Sequence, residues 1–192
     1  MDTTAETKPP LRADARRNRE KIIEGARKVF ARSGASAQME DVAHVSGVGV
    51  GTVYRHFPTK EALMTELVRR TFESFVETAR DALTAPGEPF EVLAGVLHGN
   101  CELIAGDAAV QQALMGAGAE VWEGTERERA ELGQIAHELV ERAQCAGTVR
   151  PDIGPDDIPM LMCGICATMG HTAKPFDWHR HLELGLDSLR AR

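Results

Sequence analysis

No run of about eighteen apolar residues occurs in this 192-residue chain, so no segment reads as a membrane-spanning helix and no membrane partner is expected. The N-terminal residues are polar and lack the apolar core of a secretion signal, which makes the cytoplasm the expected compartment. There the four cysteines need not pair as disulfides. The motifs of common catalytic sites are missing too: there is no Gly-x-Ser-x-Gly elbow, no His-Glu-x-x-His and no P-loop. The chain is therefore not read as an enzyme, and neither a cofactor nor a resident metal is expected. No internal repeat and no strand-like alternation stands out.

What is present is helical and unevenly charged. Hydrophobic residues make up 43 % of the chain, enough for a real core. The net charge is −7, which by itself argues against nucleic acid. Residues 1–70, however, hold 13 Lys and Arg against 9 Asp and Glu, while residues 71–192 hold 9 against 20. Halves of opposite sign suit a protein that offers one face to phosphates and keeps the other away, although an acidic half is equally an ordinary solvated surface.

The basic half contains the most telling stretch, residues 38–63. Met39, Val42, Ala43 and Val45 give a short helix an inward apolar side, with Ser36 as its N-cap and Glu40 and Asp41 in its first turn, where the helix dipole favours acids. Ser46 and Gly47 end it, Gly47 being free to take the left-handed conformation of a sharp exit. A second helix is predicted over Val50–His56, with Val48 and Val53 facing the first and Gly51, Thr52, Tyr54, Arg55 and His56 left outside. Gly51 costs roughly 1 kcal/mol relative to Ala within a helix, a cost that makes sense where another backbone must come close. Pro58 stops this helix and Thr59 caps the next, which opens at Lys60. A Lys at a helix N-terminus conflicts with the dipole, and a phosphate bound there would remove the conflict. Helix, tight Gly turn and helix with a polar tip make a helix-turn-helix, which lays one helix in the DNA major groove. The plainer alternative is a tight helical hairpin. Gly47, Gly49 and Gly51 do not form a phosphate-binding loop, since no strand precedes them and no Gly-Lys-Ser/Thr follows.

These residues resemble the DNA-binding domain of the TetR family of bacterial repressors. The resemblance spans roughly residues 16–65 and rests on Val29-Phe30-Ala31-Arg32-Ser33-Gly34, Asp41-Val42-Ala43, Ser46-Gly47-Val48, Gly51-Thr52-Val53-Tyr54-Arg55-His56-Phe57 and Lys60-Glu61-Ala62-Leu63. It implies an all-α homodimer: a three-helix DNA-binding head, and a larger C-terminal body that dimerises and usually binds a small molecule. By position, Tyr54 and Lys60 would contact phosphates, and Gly49, Val50, Gly51, Thr52, Arg55 and His56 would lie at or near the groove. Many relatives carry Ser/Thr-Thr before the second helix; here Ala37 and Gln38 stand there, leaving Gln38 to replace the hydroxyl contact or the contact to be absent. Val50 stands where many relatives have Lys.

Along the rest of the chain, residues 1–12 read as a disordered arm, 13–60 as the head and 61–192 as the body, about nine helices in all. Arg12, Arg16, Arg17 and Arg19 form a basic approach to the first helix, whose stripe is Ile22, Ile23, Ala26, Val29 and Phe30. A long helix keeps one apolar face from Lys60 to Leu83 and would act as a lever between body and head. Further helices are predicted over Pro89–Ala105, 107–116, 120–145, 156–170 and 176–189, with a loop at 148–155. Ile158, Leu161, Met162, Ile165 and Met169, and then Trp178, Leu182, Leu186 and Leu189, form two stripes. These serve either as the dimer interface, as the family uses its last two helices, or as monomer core. His98, Cys101, Glu102, Met115, Trp122 and His137 are the candidates for an effector pocket, each also explicable as ordinary core or surface. Cys163 and Cys166 make a Cys-x-x-Cys that suits either a thiol or metal switch, possible partners being His171, His179 and His181, or close helix packing.

The leading expectation is a sequence-specific transcriptional repressor, released from a near-palindromic double-stranded operator by a small-molecule effector. A thiol- or metal-sensing regulator would lose DNA affinity on alkylation. An architectural DNA binder would show salt-dependent but sequence-indifferent binding.

Overall fold

In the computed structural model, which describes residues 11–170 and 176–192, the apolar periodicities become ten α-helices and one 3-10 turn. The head holds α1 (Leu11–Ser33), the 3-10 turn Gly34–Ser36, α2 (Met39–Ser46) and α3 (Val50–His56). The long helix that follows is α4 (Lys60–Thr84). The body adds α5 (Pro89–Ala105), α6 (Ala108–Met115), α7 (Ala119–Glu123), α8 (Glu126–Cys145), α9 (Asp157–Met169) and α10 (Trp178–Leu189). Among the described residues the only strand-like pairing is an isolated bridge between Val149 and Arg190.

Local chemistry sets most boundaries. Gly47 leaves α2 at φ 67° and ψ 29°, the left-handed exit. Thr59 caps α4 by accepting from the Ala62 N–H at 3.0 Å, and Asp107 caps α6 by accepting from the N–H groups of Ala109 and Val110. Arg142 of α8 donates to the Leu83 carbonyl at 2.6 Å, satisfying a carbonyl at the end of α4.

Three boundaries differ from the sequence reading. Ser36 does not cap α2: it lies in the 3-10 turn, its hydroxyl donates back to Ser33 O, and Gln38 takes the N-cap position without a side-chain bond. The first helix already begins at Leu11, inside the stretch read as an arm. The helix predicted over 120–145 is two helices, which raises the count from about nine to ten. Gly124 ends α7 where a Cβ would lie 2.5 Å from Thr65 Cγ2, and Thr125 buries its hydroxyl against the carbonyls of Val121 and Trp122. Close passage of α4 breaks the helix there; intrinsic propensity does not.

Two cores result. In the head, Ile22, Val29, Phe30, Val42, Val53 and Phe57 pack with Leu63 and Leu67 of α4 and Ala109 of α6, so body helices complete the head. In the body, Phe90, Leu93, Leu97, Leu139, Ile165, Leu182 and Leu186 form the larger cluster. Each such side chain, fully buried, contributes roughly 1.5–3 kcal/mol of transfer free energy.

Candidate nucleic-acid interface

The outer face of α3 follows from what its inner face must bury. Val53 is wholly inaccessible between α1 and α2 and Val48 packs beside it, which turns Val50, Gly51, Tyr54 and Arg55 to solvent. Val50 and Tyr54 remain 44 % and 42 % exposed. A Cβ on Gly51 would meet nothing within 4 Å, and the same holds for Gly49. Packing within the chain therefore does not require glycine at either position.

The polar groups at the tip are partly engaged. Arg55 Nη2 donates to Thr52 Oγ1 at 3.2 Å, and Tyr54 donates its phenol to Glu40 Oε1 at 3.2 Å. Partial desolvation and then that bond raise the Tyr54 phenol above its usual range. Half-buried Lys60 sits with Nζ 5.8 Å from the Phe30 ring centroid. Gln38 is exposed and donates to Ser36 O at 3.0 Å, and His56 is half-buried at the end of α3. Glu40, legible in the sequence as a first-turn acid of α2, has a second partner there. Only the i to i+14 contact across the turn shows that it holds the tyrosine.

The basic approach from α1 is less open than its composition suggests. Arg17 pairs with Asp14. Arg19 turns inward to Glu66 at 2.6 Å and stacks on Phe57 with its guanidinium carbon 4.9 Å from the ring centroid. Arg27 pairs with Asp107. Arg16 is exposed.

The six pocket candidates do not converge. Cys101 is wholly buried in the body core, 4.0 Å from Met162 Sδ. His98 faces Glu183 at 3.0 Å, exposed Glu102 faces His179 at 3.3 Å, and exposed His137 faces Glu141 at 3.4 Å. Trp122 lies under the Arg129 guanidinium, 5.3 Å from its carbon. Met115, 57 % exposed, lines a cavity of about 300 Å³ between head and body that also touches Phe30, Lys60, Met64 and Gln112.

Much of the two stripes on α9 and α10 packs within this chain. Ile158, Ile165, Leu182, Leu186 and Leu189 are buried in the body's own core, and Leu161, Met162, Met169 and Trp178 pack partly buried against it. An amphipathic stripe reports burial without naming the partner: five of these nine residues are covered by their own chain, and the other four keep part of their surface open. The opposite sides of α9 and α10 instead expose Met160 at 67 % and Leu184 at 51 %, with Cys163 and Ala167 nearby.

Cys166 is half-buried, and burial first, then neighbouring Cys163, pushes its thiol up to about 11. Burial pushes Cys101 up to about 12. The reactive thiolate is disfavoured at both. Among the described residues no three His, Cys, Asp or Glu side chains gather as a metal site. His171 lies outside the described residues. His181 Nδ1 is instead 2.7 Å from Thr168 Oγ1.

A short helix exposed across a left-handed Gly turn, on a head completed by a helical body, defines a helix-turn-helix DNA-binding regulator. Residues 22–67 match the family of bacterial regulatory proteins called tetR, and residues 88–191 match the family described as the SbtR-like transcriptional regulator C-terminal domain. The chain belongs to the TetR family of transcriptional regulators. It is similar to the TetR transcription regulatory protein of Mycobacterium vanbaalenii: 35 % identical, covering 95 % of this chain and 100 % of that one, with TM-score 0.63. A Staphylococcus aureus HTH-type transcriptional regulator is 37 % identical over 67 residues, 34 % of this chain and 36 % of that protein. The chain thus spans about a third of the length of the curated relatives it matches. FadR of Bacillus subtilis, solved in complex with stearoyl-CoA, shares the fold at 21 % identity, with 88 % of this chain and 98 % of that one covered and TM-score 0.71. No helix among the described residues is long and apolar enough to cross a membrane.

Proposed function

We propose that the protein is a cytoplasmic repressor that binds a near-palindromic operator as a homodimer and leaves it when a small molecule binds the body. The observation that carries this reading is the outward face of α3, where Gly51 leaves open space beside exposed Val50, Tyr54 and Arg55. That face suits close approach to a DNA groove. Val50, Thr52, Arg55 and His56 would sit at the groove. Tyr54, Lys60 and Gln38 would reach phosphates, Tyr54 exchanging Glu40 for a phosphate oxygen.

The second copy would cover Met160, Cys163, Ala167 and Leu184 on the outer sides of α9 and α10, giving a four-helix arrangement about a two-fold axis. Two heads about 34–36 Å apart would read successive major grooves. An effector acts by binding better to the form whose heads are badly spaced, and it shifts the population by no more than that difference in affinity. The stearoyl-CoA carried by FadR on this fold supports a small-molecule effector.

The test is selection of fragments from genomic DNA by the purified protein at near-physiological salt. A recovered near-palindrome supports the reading. Recovery of unrelated fragments would leave an architectural binder as the better account.

A further inference from the structure

The head is joined to the body by a polar chain centred on one buried carboxylate, with links to α1 and α8 that join residues far apart in sequence. At its centre is Glu66 of α4, whose side chain is only 6 % exposed. Glu66 Oε1 accepts from Arg19 of α1 at 2.6 Å and from Arg70 Nε at 2.8 Å, and Oε2 accepts from Arg69 Nη2 at 3.0 Å and Nε at 3.1 Å. Both oxygens are therefore filled. Arg70 also holds Glu20 of α1 through two bonds of 2.7 Å, and Arg69 holds Glu73 and reaches Glu128 of α8 at 3.8 Å. Toward the DNA side, Arg19 lies on Phe57, the residue that ends α3 and whose N–H donates to Val53 O at 2.8 Å. Burial would push the Glu66 carboxyl up, but Arg19 and Arg70 hold it down to about 2, so it stays ionised at any physiological pH.

We propose that Glu66 is a positioning residue that couples the body to the recognition helix through the chain Glu128, Arg69, Glu66, Arg19 and Phe57. The proposal rests on the reading of α3 as the DNA-contacting helix. A buried carboxylate shared by three arginines from two helices has a narrow set of satisfied geometries, because both oxygens keep their bonds only while α1 and α4 hold one relative placement. A movement of α8 that draws Arg69 toward or away from Glu128 would therefore be felt at Glu66. Arg19 would then transmit it to the C-terminal end of α3. Arg19 is thus a structural tie that happens to be basic, and its charge is spent inside the molecule.

The experiment is amide hydrogen exchange on the full chain without DNA, comparing wild type with Glu128→Gln and Glu66→Gln. Glu128→Gln removes only the α8 end of the chain, at a site away from the head, so the fold is retained even if Glu66→Gln proves poorly folded. The expected result is exchange of the α3 amides near Val53 and Phe57 faster by about threefold or more, with the α5 amides near Leu93 and Leu97 unchanged. Unchanged α3 exchange in Glu128→Gln would overturn the proposal. So would equal acceleration of α3 and α5, which would mean that only global stability had changed. Because no DNA is present, failure of the coupling is distinguished from failure of the DNA-binding reading, which fragment selection tests separately.

Discussion

Replacing Gly51 by Ala should make the protein more stable and a poorer DNA binder, two effects of opposite sign from one methyl group. Gly51 is the second residue of α3, and its Cβ would meet no atom within 4 Å. The folded state therefore loses nothing sterically, while the unfolded chain loses glycine's extra freedom. The full interior preference for Ala is about 1 kcal/mol, and in the first turn of a helix about half of that is reasonable. For a chain of this size, about 0.5 kcal/mol raises Tm by roughly 1–2 °C. On DNA the same methyl stands on the exposed face of α3. If it pushes each head back far enough to break one hydrogen bond to a charged phosphate, the loss is about 1.5 kcal/mol per head, or about 3 kcal/mol per dimer. That corresponds to an affinity drop of about a hundredfold. Circular dichroism melting and fluorescence anisotropy with a selected genomic fragment measure the two effects. Operator affinity within about twofold of wild type would refute the reasoning, since Gly51 would then lie away from the contact. A lowered Tm would refute the assignment of open space.

Gly47→Ala forces an L side chain into the left-handed region at φ 67°, so denaturant unfolding should show a loss of about 1 kcal/mol, with Gly47→Asn milder. Leu182→Ala should cost about 2–5 kcal/mol at any protein concentration, because Leu182 lies in monomer core. If exposed Leu184 lies in the proposed dimer interface, Leu184→Asp should leave secondary structure intact and lower the sedimentation coefficient. Glu66 falls from the usual 4.5 to about 2 on folding, a depressed carboxylate. Its contribution, on the order of 3 kcal/mol, is complete above pH 4.5 and is lost as pH falls toward 2. Glu66→Gln should flatten that acid limb in urea titrations across pH.

The parts of this fold that can be read from sequence are those set by neighbours in the chain. Gly47, Pro58 and Thr59 act within a turn of where they stand, so the limits of α3 and the start of α4 follow directly. The end of α7 depends on Thr65, far away in sequence, and an acidic helix-forming run conceals it. The stripes on α9 and α10 are legible as buried, but the sequence leaves open whether their own chain or a second copy covers them. For the candidate interface, the pattern places Gly51, Thr52, Tyr54, Arg55 and His56 outside; Gly51, Tyr54 and Arg55 are exposed, and Thr52 and His56 are half-buried. The bond from Tyr54 to Glu40, and the inward turn of Arg19 across 47 residues to Glu66, depend on tertiary geometry that no local pattern encodes.

Hydroxyl-radical footprinting of the protein on a selected genomic fragment tests the central claim most directly. Two protected patches related by two-fold symmetry, with centres about one helical turn apart, are predicted by a dimer whose α3 helices enter successive major grooves. A single patch, or uniform protection that drifts along the fragment, would contradict it.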